Sequence, residues 1–185
     1  MTETVAAVVV AAGRGERAGA DIPKQYRTIA GEPMIRGTLH AFLSHPHVDF
    51  VQPVINPDDH DAYQHATAGL KDLLPPVAGG ATRQASVRAG LEALASRGPG
   101  LVLIHDAARP FVSAALIDRA IGAGRTCGAA IPGIALADTV KSIDDSGAVT
   151  ATLDRRTLRL VQTPQAFTFK LILEAHRGAA ATRHE

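Results

Sequence analysis

Along the chain, continuous apolar runs alternate with segments whose apolar positions recur at helical spacing. Val5–Ala11 is an unbroken run rich in β-branched residues, the mark of a strand covered on both faces in a parallel sheet. Residues 48–55 and 101–105 read the same way. Between them the spacing predicts amphipathic helices. One opens at Pro33 and aligns Met34, Ile35, Leu39, Phe42 and Leu43; a second has Asn56 as cap and Pro57 in its first position and runs through Tyr63 toward Leu70. A third covers 82–96 with Val87, Leu91 and Leu94 inward, ended by Gly98-Pro99-Gly100. Ser113 caps a fourth through Ile121, closed by Gly122 and Gly124. This βαβα order predicts an α/β fold, a right-handed, doubly wound αβα sandwich.

The pattern changes after Cys127. An apolar run reaches Ile131, strand-like stretches at 139–143 and 148–153 flank the turn Asp144-Asp145-Ser146-Gly147, and 158–161 is strand-like again. These predict a β-arm at about 134–160 inserted into one domain spanning 1–185. Helix resumes after Thr168, with Leu171, Ile172 and Ala175 on one face. No repeat, low-complexity tract or linker interrupts the pattern.

Composition narrows the classes. With 185 residues the chain has the size of one domain, and five Phe, two Tyr and no Trp leave Ala, Val, Leu and Ile to build the core. Lys and Arg number 19 against 18 Asp and Glu, a formal +1, which argues against a nucleic-acid-coating surface; any anionic ligand must meet a local cluster. A single cysteine, Cys127, excludes an internal disulfide and a cysteine-rich zinc site, and fits a reducing, cytoplasmic setting. As the start of an apolar strand, Cys127 is expected in the core. The longest apolar run, Val5 to Ala12, is far short of the ~20 residues that span a bilayer, so no membrane partner is expected. Of the histidines, His45 and His47 bracket a proline, and His60 and His65 are poorly spaced for one helix face.

In open α/β sheets ligands lie beyond the carboxyl ends of the strands. After the first strand comes Ala11-Ala12-Gly13-Arg14-Gly15-Glu16-Arg17, leading to Pro23-Lys24-Gln25-Tyr26. Its glycines permit positive φ and let backbone N–H groups surround phosphate oxygens, and Arg14, Arg17 and Lys24 add three cations, so a polyphosphate is the natural guest. The plainer alternative is a tight turn with solvated bases. A P-loop is excluded because no Gly-Lys pair occurs, and a dinucleotide fingerprint is weak because the third glycine, Gly19, falls one place late. After residues 101–104 comes His105-Asp106-Ala107-Ala108-Arg109-Pro110. Asp106 at a central strand end, facing a phosphate loop, is placed as a Mg²⁺ ligand for nucleotidyl transfer, with Arg109 for a second anion; the alternative is a turn acid bonding local N–H groups. Gly79-Gly80 allows close approach of a planar base, and Ser86 can bond its edge. Asp138-Thr139-Val140-Lys141 and Asp154-Arg155-Arg156, expected at opposite ends of the arm, can complete a site in another subunit or form a solvated hairpin. Thr163-Pro164-Gln165 reads as a plain turn.

Together these segments resemble the 2-C-methyl-D-erythritol 4-phosphate cytidylyltransferases, with matching stretches in order from Val8 to Gln165. The most specific are the first loop and His105 through Pro110. The resemblance implies a nucleotide-diphospho-sugar-transferase-like fold, and transfer of CMP from CTP to methylerythritol phosphate with Mg²⁺ and release of pyrophosphate. It implies that Arg17 and Lys24 hold the triphosphate and stabilise the transition state, and that Ala11, Ala12, Gly13, Arg14, Gly15 and Ala107 line the nucleotide. Gly80 and Ser86 would read cytosine and Asp106 would bind the metal. Arg109, Thr139, Arg155 and Thr163 would serve the sugar phosphate, with Thr139 and Arg155 supplied across a homodimer formed by the arm. Family members continue with a Thr-Asp segment and a lysine-bearing strand, so a C-terminal part of the domain is expected to be missing here. Val10 in place of the usual proline favours relatives fused to a cyclodiphosphate synthase. A cytidylyltransferase for another polyol phosphate, such as ribitol 5-phosphate, and a non-catalytic nucleotide-binding module remain the alternatives.

Overall fold

The computed structural model describes residues 3–13 and 22–181. In chain order the strands and helices are β1 (Val5–Ala11), β2 (Thr28–Ile29), β3 (Glu32–Pro33), α1 (Met34–Leu43), β4 (Phe50–Ile55), α2 (His60–Thr67), β5 (Val77–Ala78), α3 (Arg83–Ala93), β6 (Leu101–Asp106), α4 (Ala114–Cys127), β7 (Ala129–Ala130), β8 (Gly133–Ala135), β9 (Val140–Ile143), β10 (Val149–Leu153), β11 (Arg159–Val161), β12 (Gln165–Thr168) and α5 (Phe169–Ala181).

The main sheet runs β5-β4-β1-β6-β12-β7. Its first four strands are parallel and β12 is antiparallel to β6, so the sheet is mixed where a parallel one was expected. β1 explains its own sequence. It lies between β4 and β6, and its side chains alternate between two cores: Val5, Ala7, Val9 and Ala11 meet α1, α2 and α4, whereas Ala6 and Val8 meet α3 and α5. A strand buried on both faces has no polar side to alternate with.

Asn56 and Ser113 cap their helices as the sequence predicts, and Thr82, expected as the first residue of its helix, is a third cap. Asn56 accepts a hydrogen bond from Asp58 N–H at 3.1 Å, Thr82 from Ala85 N–H at 3.0 Å and Ser113 from Leu116 N–H at 3.3 Å. Met34, Ile35, Leu39 and Phe42 are buried, as are Val87, Leu91 and Leu94. Other boundaries differ. The second helix is a single 3₁₀ turn followed by the eight residues of α2, and stops at Thr67. α4 does not end at Gly122 or Gly124. It continues to Cys127 and is closed by Gly128, whose φ of 75° is the left-handed conformation a C-cap uses. A Cβ on Gly124 would lie 2.8 Å from Ala166 Cβ and 3.0 Å from Leu101 Cδ1, so close packing of α4 on the sheet overrides glycine's low helix propensity. Cys127 is consequently exposed at a helix end rather than in the core. In α5 the inward residues are Phe169 and Leu173; Leu171 and Ala175 face solvent.

Residues 133–161 form two successive two-stranded ladders, β8 with β11 and then β9 with β10. The Asp144 carboxylate closes the tip by accepting from Ser146 N–H at 2.9 Å and Ala148 N–H at 3.0 Å. The antiparallel register pairs Leu153 with Val140, so Thr139 and Arg155 sit at the same end of this hairpin, not at opposite ends.

Candidate functional site

The carboxyl ends of β1, β4 and β6 and the amino end of α3 surround a cleft of about 500 Å³. Its first wall is the end of β1, with Ala11, Ala12 and Gly13, backed by the 3₁₀ turn Lys24–Tyr26. Gln25 holds that turn in place: its buried Nε2 donates to Ala11 O at 2.6 Å and to Gly13 O at 3.2 Å. Neighbouring residues on a turn point different ways, so anchoring Gln25 inside leaves the exposed Lys24 to line the cleft. Arg14, Gly15 and Arg17 lie outside the described residues.

The second wall is the turn from β5 into α3. Packing within the protein alone already requires its two glycines. A Cβ on Gly79 would lie 2.2 Å from Ala12 Cβ, and one on Gly80 would lie 2.5 Å from Ala85 Cβ, so the room is taken by protein atoms that lock this turn against β1. The buried Ser86 hydroxyl accepts from Gly80 N–H at 3.1 Å and lies 3.0 Å from Thr82 O. Ser86 therefore shapes the turn while still lining the cleft with Gly80.

The third wall is the end of β6. Asp106 is the one acid among the described lining residues, and its carboxylate is gripped from two sides. Oδ1 accepts from Arg83 Nε at 3.0 Å and Nη2 at 2.9 Å; Oδ2 accepts from Arg109 Nε at 3.1 Å. Arg109 Nη1 also bonds Gln162 Oε1. Ala107 is not on the cleft wall. Its N–H donates to Val10 O at 2.9 Å and its carbonyl accepts from the Thr38 hydroxyl at 2.8 Å, both inside the body, so Ala108 takes the expected place.

Behind this loop lies His105, 1% exposed, with its ring edge-on to Phe42. Nε2 is 3.1 Å from the Arg109 carbonyl, which can only accept, so Nε2 carries the proton. Nδ1 is then the acceptor for the Thr163 hydroxyl at 2.9 Å, and Thr163 Oγ1 in turn lies 3.5 Å from Asp106 N. Burial pushes the imidazole pKa down to about 4, against the opposing pull of the Arg109 carbonyl and the Asp106 carboxylate, so the ring is neutral near pH 7. Thr163, expected against the sugar phosphate, spends its proton on His105 and is itself buried. Thr139 and Arg155 do not line the cleft. Both are exposed at the base of the hairpin, where Arg155 Nη1 bonds Ala137 O.

The walls thus combine a lysine-bearing turn, a glycine turn and a strand-end carboxylate. Residues 5–184 match the family described as "IspD: 2-C-methyl-D-erythritol 4-phosphate cytidylyltransferase". The chain belongs to this cytidylyltransferase family. It is 60% identical over 179 residues to a "Bifunctional enzyme IspD/IspF" of Nitrobacter winogradskyi, covering 97% of this chain and 45% of that protein. A protein of the same name from Rhodopseudomonas palustris is 63% identical, covering 95% of this chain and 43% of the relative. The chain spans less than half the length of these curated relatives. Among solved structures, the 4-diphosphocytidyl-2C-methyl-D-erythritol synthase of Anaerococcus prevotii superposes with a TM-score of 0.87 at 32% identity, covering 99% of this chain and 78% of that one. The 2-C-methyl-D-erythritol 4-phosphate cytidylyltransferase of Thermus thermophilus gives 0.75 at 34%, covering 96% and 77%.

Within this cytidylyltransferase-family fold, four residues emerge that sequence reasoning left without a role: Gln25, Thr38, Arg83 and His105. Two had a readable signal. His105 breaks an otherwise aliphatic run just before the strand's last residue, Asp106, and Arg83 opens a helix at the end where a cation is disfavoured. Gln25 and Thr38 act through distant carbonyls that only the fold brings near.

Proposed function

We propose that this chain transfers CMP from CTP to the phosphate of 2-C-methyl-D-erythritol 4-phosphate, forming 4-diphosphocytidyl-2-C-methyl-D-erythritol and pyrophosphate. The observation that carries the reading is the convergence of Lys24, the Gly79-Gly80 turn and Asp106 on one cleft within a family fold. An acceptor phosphate oxygen attacks the α-phosphorus, the bond to the β-phosphate bridging oxygen breaks, and pyrophosphate leaves with that electron pair. A phosphate dianion is already a competent nucleophile, so no general base is needed; neutral, buried His105 has no part in proton transfer. The demand is for positioning and for positive charge where negative charge gathers. Lys24 and Arg17 meet that demand at the triphosphate, Ala11 through Gly15 cradle it, and the Gly80–Ser86 turn accepts cytosine. Arg109 takes the acceptor phosphate from the β6 side.

Asp106 would hold Mg²⁺. No group of three or more His, Cys, Asp or Glu side chains gathers among the described residues, and a lone carboxylate in a nucleotide cleft suits an ion that takes its remaining ligands from phosphate and water. Bound there, the ion would neutralise charge on the phosphates. Thr163 and Ala107 act one step back, holding the Asp106–Arg109 loop.

Thr139 and Arg155 complete the acceptor site of a second copy. In support, the ladders of residues 133–161 expose Ile134, Ile143, Val149, Leu160 and Val161, apolar side chains that a partner arm would cover. The names of the relatives support a longer polypeptide in which a cyclodiphosphate synthase accompanies this unit. No helix among the described residues is long and apolar enough to cross a membrane, and we place the reaction in the cytoplasm.

The test is to supply CTP and Mg²⁺ with each acceptor and follow pyrophosphate. Release with methylerythritol phosphate is expected. Release with ribitol 5-phosphate alone would overturn the acceptor, and CTP binding without release on any acceptor would leave a nucleotide-binding module.

A further inference from the structure

Asp106 is the residue assigned to the metal, yet both of its carboxylate oxygens are already engaged by guanidinium donors: Oδ1 accepts two from Arg83 and Oδ2 one from Arg109. Arg83 and Asp106 line the same cleft as Lys24. A divalent cation arriving alone therefore meets three cationic side chains and one occupied carboxylate. Like-charge repulsion acts on it with twice the strength felt by a singly charged ion.

The placement of Arg83 is not explained by its own helix. It is the first residue of α3, and a cation at a helix amino terminus opposes the helix dipole. Thr82 already caps that end. What compensates Arg83 is a carboxylate 23 positions along the chain, on another strand. Its side chain is about half exposed, so it is free to turn within the cleft.

We propose that Arg83 is a counter-ion gate on Asp106: without nucleotide its guanidinium covers the carboxylate oxygen the metal would use, and it moves to the triphosphate when nucleotide binds. The triphosphate supplies both an alternative anion for Arg83 and the oxygen ligands the ion lacks, so the metal enters with the nucleotide and not before it. This rests on the reading of the cleft as a metal-nucleotide site. Arg83 is thereby a positioning residue for Asp106 and a direct contact for the nucleotide.

The probe is Mn²⁺, followed by its electron paramagnetic resonance signal in titrations of the whole chain without nucleotide. Arg83→Met is expected to tighten binding of Mn²⁺ alone by about tenfold, the scale of removing one nearby positive charge from a divalent ion's path. The same variant is expected to weaken CTP binding in EDTA by about tenfold. Asp106→Asn placed on Arg83→Met returns Mn²⁺ to its weak wild-type binding. Unchanged Mn²⁺ affinity in Arg83→Met overturns the gate, as does tighter Mn²⁺ binding that survives Asp106→Asn or that leaves CTP affinity intact. Arg83→Lys keeps the charge without the fork and falls between wild type and Arg83→Met. Failure of the underlying reading looks different: wild type would not bind CTP with Mn²⁺ at all.

Discussion

In the body, Asp106 follows five consecutive buried residues of β6, and its loop is tied inward by Ala107, His105 and Thr163. In the arm, Thr139 and Arg155 flank strands whose side chains are mostly exposed, and Arg155 is held by the carbonyl of Ala137. The body carries its own scaffold for the cleft proposed to take the nucleotide. The arm offers polar residues on ladders that leave Ile143, Val149, Leu160 and Val161 exposed. A site that needs both is preorganised on one side and depends on assembly on the other.

Removing charge from the body side should have the largest effect. Lys24→Ala is expected to lower kcat by ~10²-fold or more in the pyrophosphate assay, the scale of losing one preorganised stabiliser. Near-normal turnover would remove Lys24 from its role. Core truncation contrasts the two regions through stability: Leu91→Ala, fully buried in α3, should cost ~2–5 kcal/mol in urea unfolding, whereas Leu160→Ala on the exposed face of β11 should cost under ~0.5 kcal/mol in dilute monomer. Equal losses would show that the arm is not a separate surface.

The buried histidine gives a pH signature confined to the body. In the unfolded chain His105 titrates near its ordinary ~6.5, while in the folded protein its pKa is about 4. Between these values the unfolded state binds more protons, so stability falls as pH drops through this window and is level above it. The expected loss from this group is ~3 kcal/mol. His105→Gln should abolish that part of the slope, and an unchanged slope would contradict the neutral, buried ring. On the arm, Arg155→Ala should raise the KM for the acceptor about tenfold, the worth of one charge-assisted hydrogen bond, with the KM for CTP unchanged.

Legibility followed the same division. The body's strands and caps were readable because a strand buried on both faces and a side-chain cap each leave a local pattern, and Asp106 and Lys24 fell where strand ends predict. What escaped was set by tertiary contact. Gly124 reads as a helix stop, and only its fit against Ala166 keeps α4 running. β12 was not foreseen: its first residue, Gln165, reads as the end of a turn and the rest carries no strand signal, because its pairing comes from β6 and β7, far off in sequence. The Gly79-Gly80 turn reads as glycines kept for a base, but no local pattern shows that a Cβ at either position would also collide with Ala12 or Ala85. Thr163 carries no sign that its hydroxyl will face His105. The hairpin was visible from its turn, while its register, which brings Thr139 and Arg155 to one end, was not.

The division of one site between two copies is tested most directly by mixing two impaired chains at an acceptor concentration well below the wild-type KM, where a tenfold rise in KM costs about tenfold in rate. Lys24→Ala lacks a body residue and Arg155→Ala an arm residue, so a mixed dimer holds one doubly damaged site and one intact site. Co-expressed in equal amounts and assayed at that low acceptor concentration, the pair should recover about a quarter of wild-type pyrophosphate release, since half the dimers are mixed and each has one intact site. Activity no greater than the average of the two variants alone would contradict the account and place both residues in the same chain's site.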